Sequence, residues 1–227
     1  MTDGVPVRVA VVDSGVHAAH PHVGGVTGGA AFGANAAPQA DYVDRIGHGT
    51  AVAAVIREKA PAAELFALKV FDRELSAPIA SLVAAIDWAS ANRMHLVNLS
   101  LGTGKSEHAA ALGAAVARAR DRGTLIVAAG EESGSRWLPG SLPGVLRVEL
   151  DWRCPRDAVR VTVAADGTMI VRASGYPRPI PAVPPESNLK GLSFAVANVS
   201  GVLAAALGTG RTLPYEDVRG LLGGRVR

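Results

Sequence analysis

The segment Val7–Val12 is apolar at every position except Arg8, and it ends abruptly at Asp13-Ser14-Gly15. Such a run has no polar face to offer water. It fits a strand covered on both sides, as in parallel sheets flanked by helices. The rest of the chain agrees. Helices expected over His48–Glu58, Ser76–Asn92, Ser106–Arg122 and Ser193–Leu207 alternate with strands expected over Leu65–Phe71, Met94–Leu99 and Thr124–Ala129. In the second helix Ile79, Leu82, Val83 and Ile86 share one face. Val145–Leu150 reads as another strand. Val159–Val163 and Thr168–Ala173 flank Ala164-Ala165-Asp166-Gly167, a hairpin turn. A short helix is expected after Pro214, and the Pro-rich stretch Tyr176–Pro185 reads as a loop within the domain. The expectation is a three-layer α/β fold, a mainly parallel central sheet with helices on both faces, forming one domain over residues 1–227. Its 41 alanines and 26 glycines against ten aromatic residues imply helices lying close on that sheet.

Composition narrows the function. A single cysteine, Cys154, excludes an internal disulfide framework and a cysteine-rich zinc site, and no role attaches to it. Lys and Arg outnumber Asp and Glu by 23 to 20. The basic residues are scattered and the aromatic ones too few for a stacking platform, so nucleic-acid binding is not expected. No apolar run has the length of a membrane span, and no membrane partner is expected. The first six residues lack the basic and apolar regions of a signal peptide, which points to a cytoplasmic chain.

Three short segments carry chemistry. Asp13 stands at the carboxyl end of the first strand, where α/β sheets place their sites; by itself it reads equally well as a turn residue. Gly47-His48-Gly49-Thr50 puts a histidine between two glycines at a helix start, which leaves the imidazole free or lets it cap. Gly191-Leu192-Ser193-Phe194-Ala195 puts a serine at a helix N-terminus, where unpaired N–H groups favour developing negative charge. Alone, that serine is an ordinary cap. Together the three supply what a serine nucleophile needs, a base to take its proton and a carboxylate to orient the base. Asp, His and Ser occur in that order, 35 and 145 residues apart. The remaining histidines are poorer candidates. His17, His20 and His22 read as a surface loop, and His95 and His108 as structural or solvent-facing.

These segments, with Val97-Asn98-Leu99-Ser100-Leu101-Gly102 and with His20-Pro21 after the Asp13 strand, resemble the subtilase family of subtilisin-like serine proteases. The resemblance runs from about Val7 to about Leu207. It implies a subtilisin-like fold in which Asp13 orients His48, His48 acts as general base and then acid, and Ser193 is the nucleophile and supplies one oxyanion donor through its N–H. It also implies that Ser100-Leu101-Gly102 pairs with an extended peptide by strand addition. Ala128-Ala129-Gly130 would form one wall of the side-chain pocket, and Trp137 its far rim or part of the core. The implied function is a serine endopeptidase acting on peptide or unfolded protein, such as a precursor or leader-peptide processing protease. No cofactor and no metal are expected; Arg57–Glu64 lacks the family's calcium-wrapping loop, so no calcium is expected at that site. No prodomain or signal peptide is expected either.

One departure matters. The family's segment ordinarily reads Ala-Ala-Gly-Asn, and the asparagine side chain is its second oxyanion donor; here it reads Ala128-Ala129-Gly130-Glu131. A carboxylate cannot donate. Three arrangements stay open: Glu131 turned to solvent, Glu131 kept protonated by burial, or a loop rearranged by substrate or by an activating partner. Glu131 also motivates a different reading, a weak or inactive pseudoprotease that binds a peptide or a partner protein.

Overall fold

The computed structural model describes residues 4–132, 134–210 and 212–223. The first strand, β1 (Arg8–Asp13), lies in the interior of the sheet with Val9 to Asp13 fully buried. Its parallel neighbours are β4 (Glu64–Lys69) and β5 (Leu96–Leu99). Beyond β4 comes β2 (Gly28–Phe32), and beyond β5 come β6 (Leu125–Glu132), β8 (Val145–Leu150) and β10 (Met169–Ala173), all parallel to their neighbours. Short antiparallel strands complete it: β3 (Pro38–Gln39) on β2, β7 (Ser135–Arg136) on β6, and β9 (Val159–Val163) on β10. The β9–β10 hairpin closes on the expected turn, with Ala164 N–H donating to Thr168 O at 2.9 Å and Gly167 at φ +83°.

Side chains of β1 alternate between two cores. Val9 and Val11 join the core beneath α1 (His48–Lys59), α4 (Leu192–Leu207) and α5 (Val218–Gly223). Ala10 and Val12 join the core beneath α2 (Ile79–Ala91) and α3 (Ala109–Asp121). This is the three-layer α/β arrangement, and it follows from strands with no polar face. α4 is apolar nearly all round and buried at 13 of its 16 residues. It can sink so far because its small residues admit neighbours closely: a Cβ on Gly201 would lie 3.0 Å from Lys59 Cβ and 3.3 Å from Ile56 Cα of α1.

Two helices start later than the periodicity suggests. α2 begins at Ile79 because Pro78 holds an extended ψ of 142° at its cap and biases Ala77 away from helix. The Ser106–His108 segment is a 3-10 turn ahead of α3. Among the described residues no helix is long and apolar enough to cross a membrane.

Candidate active site

The chain passes from β1 to β2 and β4 on one side and to β5 and β6 on the other, so a crevice opens beyond the carboxyl end of β1. Asp13 sits at that end with no solvent exposure. Both of its carboxylate oxygens meet His48 Nδ1, at 2.8 and 2.9 Å, and Oδ1 also accepts the Ser14 N–H at 2.7 Å. His48 is the first residue of α1. Gly49 lets that helix start come so close: a Cβ there would overlap the Gly15 carbonyl oxygen and stand 3.0 Å from Asp13 Cβ.

Asp44 holds the same helix start from the other side. It accepts hydrogen bonds from Ser14 Oγ, Ile46 N, Gly47 N, Thr50 N and Thr50 Oγ1 at 2.6–2.9 Å. Burial pushes the Asp44 carboxyl up, but these donors outweigh it, Thr50 foremost, and leave its pKa below the usual value. At His48 burial disfavours the imidazolium, and the hydrogen bond and charge of Asp13, with the charge of Asp44, outweigh that. The pKa is raised above 6.5. The sequence reading missed Asp44; the only sign of it was an acidic residue three positions before the Gly-His-Gly.

Ser193 lies in the first turn of α4, after Gly191 at φ +144°. Its hydroxyl donates to the Ser100 carbonyl at 3.1 Å, and Ser100 Oγ donates back to the Ser193 carbonyl at 2.9 Å. Behind this clasp, Asn98 Nδ2 donates to Ser100 Oγ and Asn98 Oδ1 accepts from Ser200 Oγ, both at 2.9 Å. Asn98 is fully buried, so these bonds meet its need for partners. Among the described residues no hydrogen bond joins Ser193 to His48; both line one cavity of about 220 Å³. The Ser193 N–H has no backbone acceptor among the described residues and belongs to the first turn, where helix amides are free.

That cavity gathers much of the expected set. Ser100, Leu101, Gly102, Ala129 and Trp137 line it together with His48 and Ser193. Ala128 is buried in the core instead, and Gly130 serves as backbone, its carbonyl accepting from Trp137 N at 2.9 Å. Phe71, Leu75 and Glu132 also line it and were not foreseen. Glu131 does not line it. Its Oε2 pairs with Arg147 Nη2 at 2.7 Å, a cross-strand ion pair that none of the three arrangements anticipated. The neighbouring Leu101 and Gly102 amides carry no backbone bond among the described residues and leave an edge free for an incoming strand.

His17, His20 and His22 line a separate cavity of about 480 Å³ with Asp44, Arg178 and Leu189. His95 Nδ1 accepts the Arg8 N–H at 2.9 Å. Among the described residues no group of three or more His, Cys, Asp or Glu could hold a metal ion.

An α/β fold with an Asp–His couple and a helix-start serine around one cleft is the layout of a serine hydrolase of the subtilisin type. The chain belongs to the subtilase family, whose model matches residues 4–223. It is 38% identical over 156 residues to a thermostable alkaline protease of Halalkalibacterium halodurans, covering 64% of this chain and 41% of that protein. With subtilisin Savinase of Lederbergia lenta it shares 38% over 141 residues, 58% of this chain and 50% of that one. The chain thus spans half or less of the length of these relatives. A cold-adapted subtilisin-like serine proteinase superposes with a TM-score of 0.72 at 25% identity, covering 98% of this chain and 83% of that one. The prenylagaramide maturation protease PagA superposes with a TM-score of 0.65, also at 25% identity, covering 98% and 84%.

Proposed function

We propose that the protein is a serine endopeptidase that cuts an extended peptide segment, with Asp13, His48 and Ser193 as its triad. The observation that carries this reading is the buried Asp13 gripping His48 Nδ1 beside a cavity that both His48 and Ser193 line. Nδ1 is thereby kept as the donor, so Nε2 is left as the base. A substrate strand lies along Leu101–Gly102 and presents its carbonyl carbon to Ser193. Ser193 Oγ forms the new bond to carbon while its proton passes to His48 Nε2. The oxyanion is met by the Ser193 N–H at the start of α4. As the carbon–nitrogen bond breaks, His48 returns the proton to the leaving amine. Water then repeats the sequence on the acyl-enzyme and frees the acid.

Before substrate binds, the Ser193 hydroxyl rests on the Ser100 carbonyl, and reaction requires it to turn toward His48. A precursor or leader peptide is the substrate class that suits this chain, and the fold it shares with a protease named for maturation supports that choice. A second reading, a pseudoprotease that holds a peptide without cutting it, is favoured by Glu131, which leaves the cavity without a side-chain donor at that position.

Labelling with a serine-reactive fluorophosphonate, with Ser193→Ala as control, separates the two. Labelling lost in the variant is the expected result. A folded chain that never labels overturns the endopeptidase and leaves the binding protein.

A further inference from the structure

Glu131 is flanked by residues that face the nucleophile: Ala129 and Glu132 both line the cavity that holds Ser193. Its own side chain escapes because β6 bulges there. Ala129 pairs with Val148 of β8 and Glu131 with Glu149, so Gly130 is an extra residue without a partner in the ladder. The bulge sets two carboxylates beside one another across the strands, which would repel. Arg147, two residues before Glu149 on the same face of β8, answers both, its Nη2 lying 2.7 Å from Glu131 Oε2 and 2.9 Å from Glu149 Oε1. Arg172 of β10 takes the other oxygen of Glu149 at 2.7 Å. Charge therefore alternates across three strands, Glu131, Arg147, Glu149, Arg172.

The ladder is built into the backbone. A Cβ on Gly130 would overlap Arg147 Cγ and lie 2.9 Å from its Cδ and Nε, so only glycine leaves room for the arginine stem along the bulge. Arg147 is nearly enclosed, its side chain 11% exposed, while that of Glu131 is 37% exposed. The enclosed partner is fixed and the more open one is held by it. Without Arg147, Glu131 would face Glu149 across the ladder and sit one residue away from the wall of the catalytic cavity.

We infer that Arg147 is a positioning residue: by holding Glu131 across the sheet it keeps a carboxylate away from the place where the oxyanion forms. The inference rests on the endopeptidase reading. It assigns the ion pair to turnover, where an ordinary cross-strand pair would serve stability alone. Oxyanion charge is stabilised by donors and opposed by an anion held against it in the low-dielectric cleft; Glu132 also lines the cavity, but it is exposed and screened by water.

The test is the rate of Ser193 labelling by a fluorophosphonate in four folded variants. Arg147→Met is expected to label at least roughly tenfold more slowly than the parent, since a freed carboxylate opposes the oxyanion. Adding Glu131→Gln to it removes that charge, and the rate should return to that of Glu131→Gln alone. Glu131→Asn restores a donor and should label faster than the parent; in this family such a donor is known to be worth roughly 10²–10³ in turnover. If Arg147→Met fails to fold, Arg147→Lys serves, slower than the parent and likewise rescued by Glu131→Gln. Arg147→Met labelling at the parental rate, or a double variant as slow as the single one, overturns the inference while the protease reading stands. A folded parent that stays unlabelled, whatever Glu131→Asn does, overturns the protease reading, and this inference with it.

Discussion

The two halves of the candidate cleft are built to different standards. On the histidine side every group is already placed: Asp13 is buried and bonded to His48, Asp44 accepts five hydrogen bonds at the start of α1, and Gly49 gives Asp13 its clearance. On the serine side the Ser193 hydroxyl rests on Ser100, and Glu131, beside the proposed oxyanion position, is tied to Arg147. In the proposed triad the base is preorganised, while the nucleophile and the proposed charge-stabilising donors are only partly so. Since electrostatic preorganisation is the larger share of such catalysis, the serine side should set the rate and the histidine side the pH range.

Breaking the histidine side should cost most. Asp13→Asn keeps the shape but offers an amide that favours the wrong tautomer of His48, and labelling of Ser193 should fall by roughly 10⁴-fold without loss of fold. Gly49→Ala forces a methyl group against Gly15 and Asp13; thermal or denaturant unfolding should show a loss of about 1–3 kcal/mol, with labelling falling too. If Gly49→Ala folds and labels like the parent, the close approach of α1 to Asp13 is not what aligns His48.

Asp44→Asn leaves several donors short of an acceptor and should destabilise by about 1–3 kcal/mol at neutral pH. Because the folded pKa of Asp44 is lowered, its contribution is full above the unfolded value near 3.8 and disappears as pH falls through the lower folded value. The gap between parent and variant should therefore close on acidification, as unfolding measured across that range would reveal.

The smallest effect is a displacement of the pH profile. As the proposed base, His48 must be neutral to take the serine proton, and its folded pKa is raised, so the acid limb of labelling should have its midpoint above 6.5. The same shift works oppositely on stability: the contribution from protonated His48 is full below 6.5 and is lost as pH rises through the raised value. A midpoint below 6.5 would mean that Asp13 does not support the imidazolium as the geometry implies.

What could be read from the sequence was what depends on runs and spacing. β1, α1, α4 and the β9–β10 hairpin were legible because an unbroken apolar strand, a glycine-flanked histidine, an apolar helix and an Asp-Gly turn each act locally. β2 was not, since Gly28-Gly29-Ala30-Ala31-Phe32 has little strand character of its own and is a strand only because β4 lies beside it. Likewise His48 and Ser193 stood out, while Asp44 did not, because its importance lies in five donors gathered by folding. The fate of Glu131 was the least legible of all. It depends on a bulge and on an arginine 16 residues away on another strand, and neither leaves a local mark in the chain.

The depth of α4 carries a last consequence, for how the protein fails. Ser193 is mounted on a helix whose removal would empty one of the two cores, and Leu192 and Phe194 on either side of it are buried in that core, so loss of its seat should accompany global unfolding. Amide protons in the body of α4 should exchange with solvent only at the rate of whole-molecule opening. On heating, the nucleophile should then survive until the fold itself is lost, and inactivation should track the cooperative transition with no earlier step of its own.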